Sequence, residues 1–256
     1  MNFDISDLLS SWEYQAGQIV VRRFKGKDGK EKIQLRVDLG LLQMDAFGRP
    51  DGKKPFGHET LFEHYKNRLQ KYIDSHEASD DGFKLDPEDC SKLQQEAIQF
   101  HHRYICLFQL KDYAGVIRDT ERNIAVFDFV EKYAEIRELA WSVQQLRPQL
   151  LMMQVRAKAT LALDNGKHDD AIQAVEEGLE ELRQFFTRIE RPELMEQSAE
   201  AASLDAYLNE IRSTRPLSEH RAGPPGGPWV IPKWDVNGRA GSKSRTHLSL
   251  RAAGSP

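Results

Sequence analysis

A chain of 256 residues with 39% hydrophobic and 30% charged residues can bury a core for one or two domains. Its mean hydropathy of −0.62 and short apolar runs argue against a membrane span, which needs roughly 20 consecutive apolar residues. The net charge of −4 divides into −8 for residues 1–216 and +4 for residues 217–256, so the body as a whole does not attract phosphate backbones over long range.

Met1–Asp7 is acidic and lacks the apolar stretch of a signal peptide. The two cysteines, Cys90 and Cys106, are therefore expected to be reduced thiols of a cytoplasmic protein. Residues 1–57 read as a small β-rich subdomain. Ile19-Val20-Val21 and Ile33–Leu39 are predicted strands, the second placing Ile33, Leu35, Val37 and Leu39 on one face and Gln34, Arg36 and Asp38 on the other. Asp28-Gly29 between them is a hairpin signal, Leu41–Met44 a third short strand, and Gly48-Arg49-Pro50-Asp51-Gly52 a turn.

From Thr60 the apolar period becomes helical, and residues 58–215 read as a helical domain of about seven helices. Thr60 caps the first, with Leu61, Tyr65, Leu69, Tyr72 and Ile73 on its stripe. Asp86-Pro87 starts the next, since aspartate caps free amides and proline at the first position loses no bond. Another helix runs through Tyr113, Val116, Ile117, Ile124 and Phe127. One starting at Pro148 ends at Asn165-Gly166, one continues through Ala171–Leu182, and Pro192 opens a last one reaching Ile211. After Pro216 periodicity vanishes, and residues 216–256 are expected to be a disordered Gly/Pro/basic tail.

Leu107–Ile117 and Ala162–Ile172 each take an apolar helix across a short polar break into another helix. These two units resemble degenerate tetratricopeptide-type repeats. Gly166, His168, Ala171, Ile172, Gly178 and Leu179 stand at that family's turn-glycine, aromatic, small and apolar positions. Tyr113, Ile117 and Ile124 fit in the first unit, with Lys111 at the glycine position and Val116 at the small one. The 55-residue spacing from Ile117 to Ile172 exceeds the family's period of about 34, which longer helices or an added helix around Ala134–Leu146 would explain.

A wider resemblance covers most of residues 12–218. Trp12-Glu13-Tyr14, the Gly-Lys-Asp-Gly hairpin, Gln34–Met44, Gly48–Gly52, Phe100-His101-His102-Arg103 and Ile211–Ser218 are similar to bacterial UVR-motif-containing proteins. The resemblance implies a link to DNA repair, where the UVR hairpin mediates subunit contact. That hairpin should follow Leu217-Ser218, and residues 219–256 do not carry its pattern.

The candidate chemistry is thin. His58-Glu59 lacks a second histidine four residues on, since Phe62 stands there, and reads as a solvated helix start. His102 and Cys106 lie one turn apart without a second ligand pair, so no metal is expected and Cys106 reads as a buried thiol. Gly48–Lys54 has the wrong spacing for a phosphate loop, and Pro50 removes an amide. Arg22, Arg23, Lys25, Lys27, Lys30, Lys32 and Arg36 against Asp28 and Glu31 give the first hairpin a charge of +5, enough to suggest nucleic acid or an acidic protein.

The resulting expectation is an α+β, predominantly α fold: a small N-terminal sheet followed by a tetratricopeptide-like helical bundle. Its expected role is that of a non-enzymatic adaptor or scaffold binding a protein or peptide, self-association included, without cofactor, metal or membrane. Arg22, Arg23, Arg36, Arg49 and Asp51 are the candidate partner-binding residues. Tyr113, Ile117, Gly166, Ala171, Ile172 and Leu179 are the repeat-forming ones. The alternatives are a nucleic-acid-associated, repair-linked UVR-type factor, and a truncated or frameshifted protein with no active role.

Overall fold

The computed structural model describes residues 4–214. A short helix α1 (Ser6–Ser10) leads to an antiparallel meander of β1 (Val20–Lys25), β2 (Glu31–Val37) and β3 (Gly40–Asp45), with β2 in the centre. After a 3₁₀ turn at Pro55–Gly57 come α2 (Leu61–Ser75), α3 (Pro87–Gln109), α4 (Tyr113–Tyr133) and α5 (Arg137–Gln144). The chain continues through α6 (Arg147–Asp164), α7 (His168–Arg188), α8 (Leu194–Gln197) and α9 (Ala199–Ser213). The class is α+β, mainly α. The tail expected to be disordered and the expected site of the UVR hairpin lie outside the described residues.

Local signals set the helix starts. Thr60 accepts a hydrogen bond from the Glu63 amide at 3.1 Å, and Asp86 accepts one from the Asp89 amide at 2.8 Å ahead of Pro87. The C-terminal helix departs from the expectation. Pro192 opens only the turn before α8, and Ser198 breaks the chain there and caps α9 through the Ala201 amide at 3.1 Å.

The sheet has two covered faces. Ile33, fully buried, and Met44 point to the helices. On the other face Arg22 Nε donates to Gln34 Oε1 (2.7 Å), and Gln34 Nε2 donates to Gln43 Oε1 (2.8 Å), forming a polar ladder across all three strands. Trp12 lies over the Arg22 guanidinium at 4.2 Å. Leu39 leaves the apolar face assigned to it: Val37 pairs with Gly40, so Asp38-Leu39 forms the turn and Leu39 is 89% exposed.

Sheet and helices contribute to one hydrophobic core. Ile33, Met44 and Ala46 belong to the same cluster as Val116 and Phe127 of α4, Leu150 and Val155 of α6, and Val175 and Leu182 of α7. The boundary at residue 57 thus separates strands from helices along the chain but not in the interior. Helix α6 is buried over most of its circumference, packed against α4, α7 and α9.

The two helical hairpins correspond residue for residue at an offset of 55. Helices α3 and α6 end at Gln109 and Asp164, and α4 and α7 begin at Tyr113 and His168. Lys111 (φ 59°) and Gly166 (φ 73°) both occupy the left-handed region. Around them the same pair of bonds closes each turn: Asp112 N to Leu107 O and Lys111 N to Phe108 O, then Lys167 N to Ala162 O and Gly166 N to Leu163 O. The buried face repeats too, with Val116, Thr120, Asn123 and Phe127 matched by Ala171, Val175, Gly178 and Leu182. The extra length over a simple helical pair is taken up by α5, in the segment where an added helix was expected.

A lysine in the left-handed region is strained by about 1–2 kcal/mol, and glycine there is not. Lys111→Gly is therefore expected to stabilise the protein by about 0.5–1 kcal/mol after the added freedom of the unfolded chain is subtracted. Thermal melts should show a midpoint about 2 °C higher, and an unchanged or lower midpoint would contradict this.

Candidate functional site

The most elaborate polar arrangement joins the sheet's exit turn to α3 and α4. Along α3, Glu96, Phe100 and Arg103 share one face, and α4 supplies Arg118, Asp119 and Arg122 opposite them. Arg103 grips Asp119 with both edges of its guanidinium, Nε to Oδ2 at 2.6 Å and Nη2 to Oδ1 at 2.9 Å. Both side chains are 1% exposed. The remaining nitrogen of Arg103 donates to the carbonyls of Asp45 (3.0 Å) and Gly48 (2.7 Å), and Arg118 reaches Ala46 O at 3.2 Å.

Glu96 is fully buried. Its carboxylate accepts from the Leu61 and Phe62 amides at 2.7 and 3.2 Å, placing a negative charge on the N-terminus of α2. Arg122 and Arg49 meet it from the other side, with Arg49 Nε 3.2 Å from Oε1. Burial pulls the Arg122 guanidinium down to about 10, so it remains charged at neutral pH. The guanidinium groups of Arg103 (4.7 Å) and Arg122 (4.2 Å) both lie over the Phe100 ring. The detailed Gly48–Gly52 turn thereby has a physical role: its backbone and Arg49 key the sheet into the helices.

The candidate partner-binding residues do not form one patch. Arg36 is 7% exposed and donates to the carbonyls of Trp12 (2.9 Å), Asp38 (3.0 Å), Gly40 (2.9 Å) and Val37, so its guanidinium is committed to holding the β2–β3 turn. Arg22 belongs to the polar ladder. Arg23 is exposed but paired with Glu31 (3.2 Å) and Asp112 (2.6 Å). Arg49 is mostly buried, and the exposed Asp51 lies 3.3 Å from its Nε. Lys32 is held by Asp28 and Asp45 at 2.8 and 2.5 Å. Arg23 and Lys32 are thus ion-paired and Arg36 is buried within the fold, while Lys25 and Lys27 remain exposed. Among the repeat-forming residues, Ala171 and Leu179 are buried, and Tyr113, Ile117 and Ile172 pack against the same core.

The histidines are dispersed. His58 and His64 have ring centroids 5.4 Å apart, and the exposed Phe56 stacks on His64 at 4.3 Å. Burial pushes the Cys106 thiol up to about 12 and Cys90 up to about 11, so neither is a thiolate at neutral pH. Among the described residues no three His, Cys, Asp or Glu side chains converge as metal ligands, and no helix is long and apolar enough to cross a membrane.

His101 is held near neutral form by burial and by the adjacent His102, which pull it down to about 4, and its Nδ1 lies 2.6 Å from the Tyr104 hydroxyl. The unfolded chain takes up this proton near pH 6.5 while the folded one resists until about pH 4. Stability therefore falls as pH drops through that window, by about 3 kcal/mol from this group in all and about 2 kcal/mol of it by pH 5, and above it the contribution vanishes. Chemical denaturation at pH 7 and pH 5 should show a smaller loss for His101→Gln than for the wild type; equal losses would refute the assignment.

No family model matches the chain, and neither a curated protein nor a solved structure matches it. What the fold and the site define together is a helical body of two corresponding hairpins with a small sheet keyed onto it by buried arginine–carboxylate pairs.

Proposed function

We propose that the chain is a non-enzymatic, cytoplasmic helical-repeat protein that acts as an adaptor or scaffold in protein–protein interaction, in keeping with its resemblance to UVR-type proteins and tetratricopeptide-like repeats. The supporting observation is the 55-residue correspondence of two helical hairpins with the same turn geometry and buried face. Units of this kind bury their apolar faces by stacking, and stacked units present extended surfaces suited to peptides and helices. The nucleic-acid alternative draws less support, because Arg23, Lys32 and Arg36 are engaged by Asp28, Glu31, Asp45, Asp112 and backbone carbonyls, which leaves Lys25 and Lys27 as the hairpin's exposed cations without an ion pair among the described residues. The truncation alternative concerns residues outside those described.

Affinity capture with the full chain from a nuclease-treated lysate, followed by mass spectrometry, tests the reading. A protein partner retained at moderate salt is the expected result. Recovery of nucleic acid alone in untreated lysate, with binding that falls steeply as salt rises, would replace it with the alternative.

A further inference from the structure

The sheet has β1 and β3 as its edge strands, and the β1 edge is open. β1 pairs only with β2, and among the described residues no backbone hydrogen bond reaches its outer side. Unpaired strand amides and carbonyls are a template for a further strand. Beside the start of β1 is a shallow groove of about 340 Å³. Its walls include Gln15, Gln18, Ile19 and Val21 on one side and Gln109 and Leu110, at the end of α3, on the other. Aliphatic side chains there offer burial, and the glutamine amides both donate and accept.

Charge selects the occupant. Arg23 and Lys25 are exposed on β1, Lys27 follows in the turn, and Lys111 is exposed next to Leu110. Lys25, Lys27 and Lys111 have no ion pair among the described residues, whereas Arg23 is held by Glu31 and Asp112. A strand laid along β1 would set its side chains opposite these, so apolar residues suit Val20 and Val21 and a carboxylate suits Lys25. A second copy of β1 is disfavoured, because the symmetric antiparallel register faces Arg22 with Arg23 and a parallel in-register pairing faces each cation with itself.

We propose that the β1 edge and its groove take an extended acidic–apolar segment of another protein as a fourth strand of the sheet. This rests on the adaptor reading and names its docking edge and the chemistry of the partner.

Selection of a random dodecapeptide display library on the full-length chain tests it. Enriched peptides should pair adjacent Val, Ile, Leu or aromatic residues, opposite Val20 and Val21, with Asp or Glu four to five positions away, opposite Lys25, and should slow amide exchange at residues 20–25. Methylating every second peptide nitrogen should abolish binding. Lys25→Glu, at an exposed position without an ion pair, should weaken binding about fivefold to tenfold with the fold intact. No enrichment, enrichment of basic or helix-forming peptides, or protection away from β1 would overturn the proposal. A lysate partner whose footprint falls on the helices would overturn it while leaving the adaptor reading in place, and recovery of nucleic acid alone would remove both.

Discussion

Asp119→Asn is expected to lower the unfolding free energy by about 3–5 kcal/mol, the cost of leaving a buried charge without its counter-charge. Asp119 is the carboxylate on which Arg103 closes with two hydrogen bonds, and neither side chain reaches solvent. Arg118 also touches Asp119 but is 41% exposed and can turn to water. Arg103 cannot, because its other nitrogen is held by Asp45 O and Gly48 O. The damage should reach the sheet, since those carbonyls belong to the end of β3 and the turn after it. Chemical denaturation followed by circular dichroism gives the loss, and amide exchange should quicken across residues 40–50. Arg103→Met combined with Asp119→Leu should recover part of the stability, because removing both charges removes their desolvation cost while the Asp45 and Gly48 carbonyls lose the Arg103 donor. A loss under about 1 kcal/mol for Asp119→Asn would mean the pair behaves as a solvated surface contact.

The contrast between this junction and the helices around it explains what the sequence could reveal. Helix starts at Thr60 and Asp86 are written locally: a capping side chain binds an amide three residues on, and an apolar stripe follows. The Leu107–Ile117 and Ala162–Ile172 turns were legible as apolar helices broken by a short polar turn, with Asp112 capping α4 through the Gly115 amide at 2.9 Å and Gly166 supplying the left-handed residue before α7. Glu96, Arg103 and Asp119 were not, because each alone reads as a solvated position on an amphipathic helix. Their partners, the Leu61 amide, Gly48 O and each other, are brought close only by the tertiary fold. The one trace was Phe100-His101-His102-Arg103, marked as a family landmark with no contact assigned.

Arg36 and Leu39 show a different limit. Strict alternation places side chains on faces but is silent on where the strand ends and what covers each face. The β2–β3 turn takes Leu39 out of the sheet, and the segment bearing Trp12 closes over the face with Arg22, Gln34 and Arg36. The cations that suggested a binding ribbon therefore serve largely to hold that ribbon together. At the outer edge of β1, backbone groups and Lys25 remain unengaged within the described residues.

Gly178→Ala is the second substitution with a large expected effect, and its sign depends on a single neighbour. In an exposed helix interior this change would gain about 1 kcal/mol. At Gly178, where α7 crosses α6, a β-carbon would overlap Val155 Cγ2 and lie 3.0 and 3.1 Å from Cγ1 and Cβ of the same residue. Rotating the valine exchanges one clash for another, and Val155 is itself buried, so the helices would have to separate. A net loss of about 2 kcal/mol is expected from this overpacking. At the corresponding place in the first hairpin, Asn123 faces α3 and donates to Ala97 O at 2.9 Å, so there a hydrogen bond occupies the crossing where the second hairpin uses a missing side chain. The decisive comparison is Gly178→Ala in a Val155→Ala background. With both γ-methyl groups gone only the Val155 Cβ contact at 3.1 Å remains, which a small shift relieves, and the substitution should become close to neutral. Denaturation midpoints of the four proteins in this cycle measure the coupling. An equal loss in both backgrounds would show that α6 and α7 do not meet at this crossing, and the 55-residue correspondence of the hairpins would fail at its closest contact.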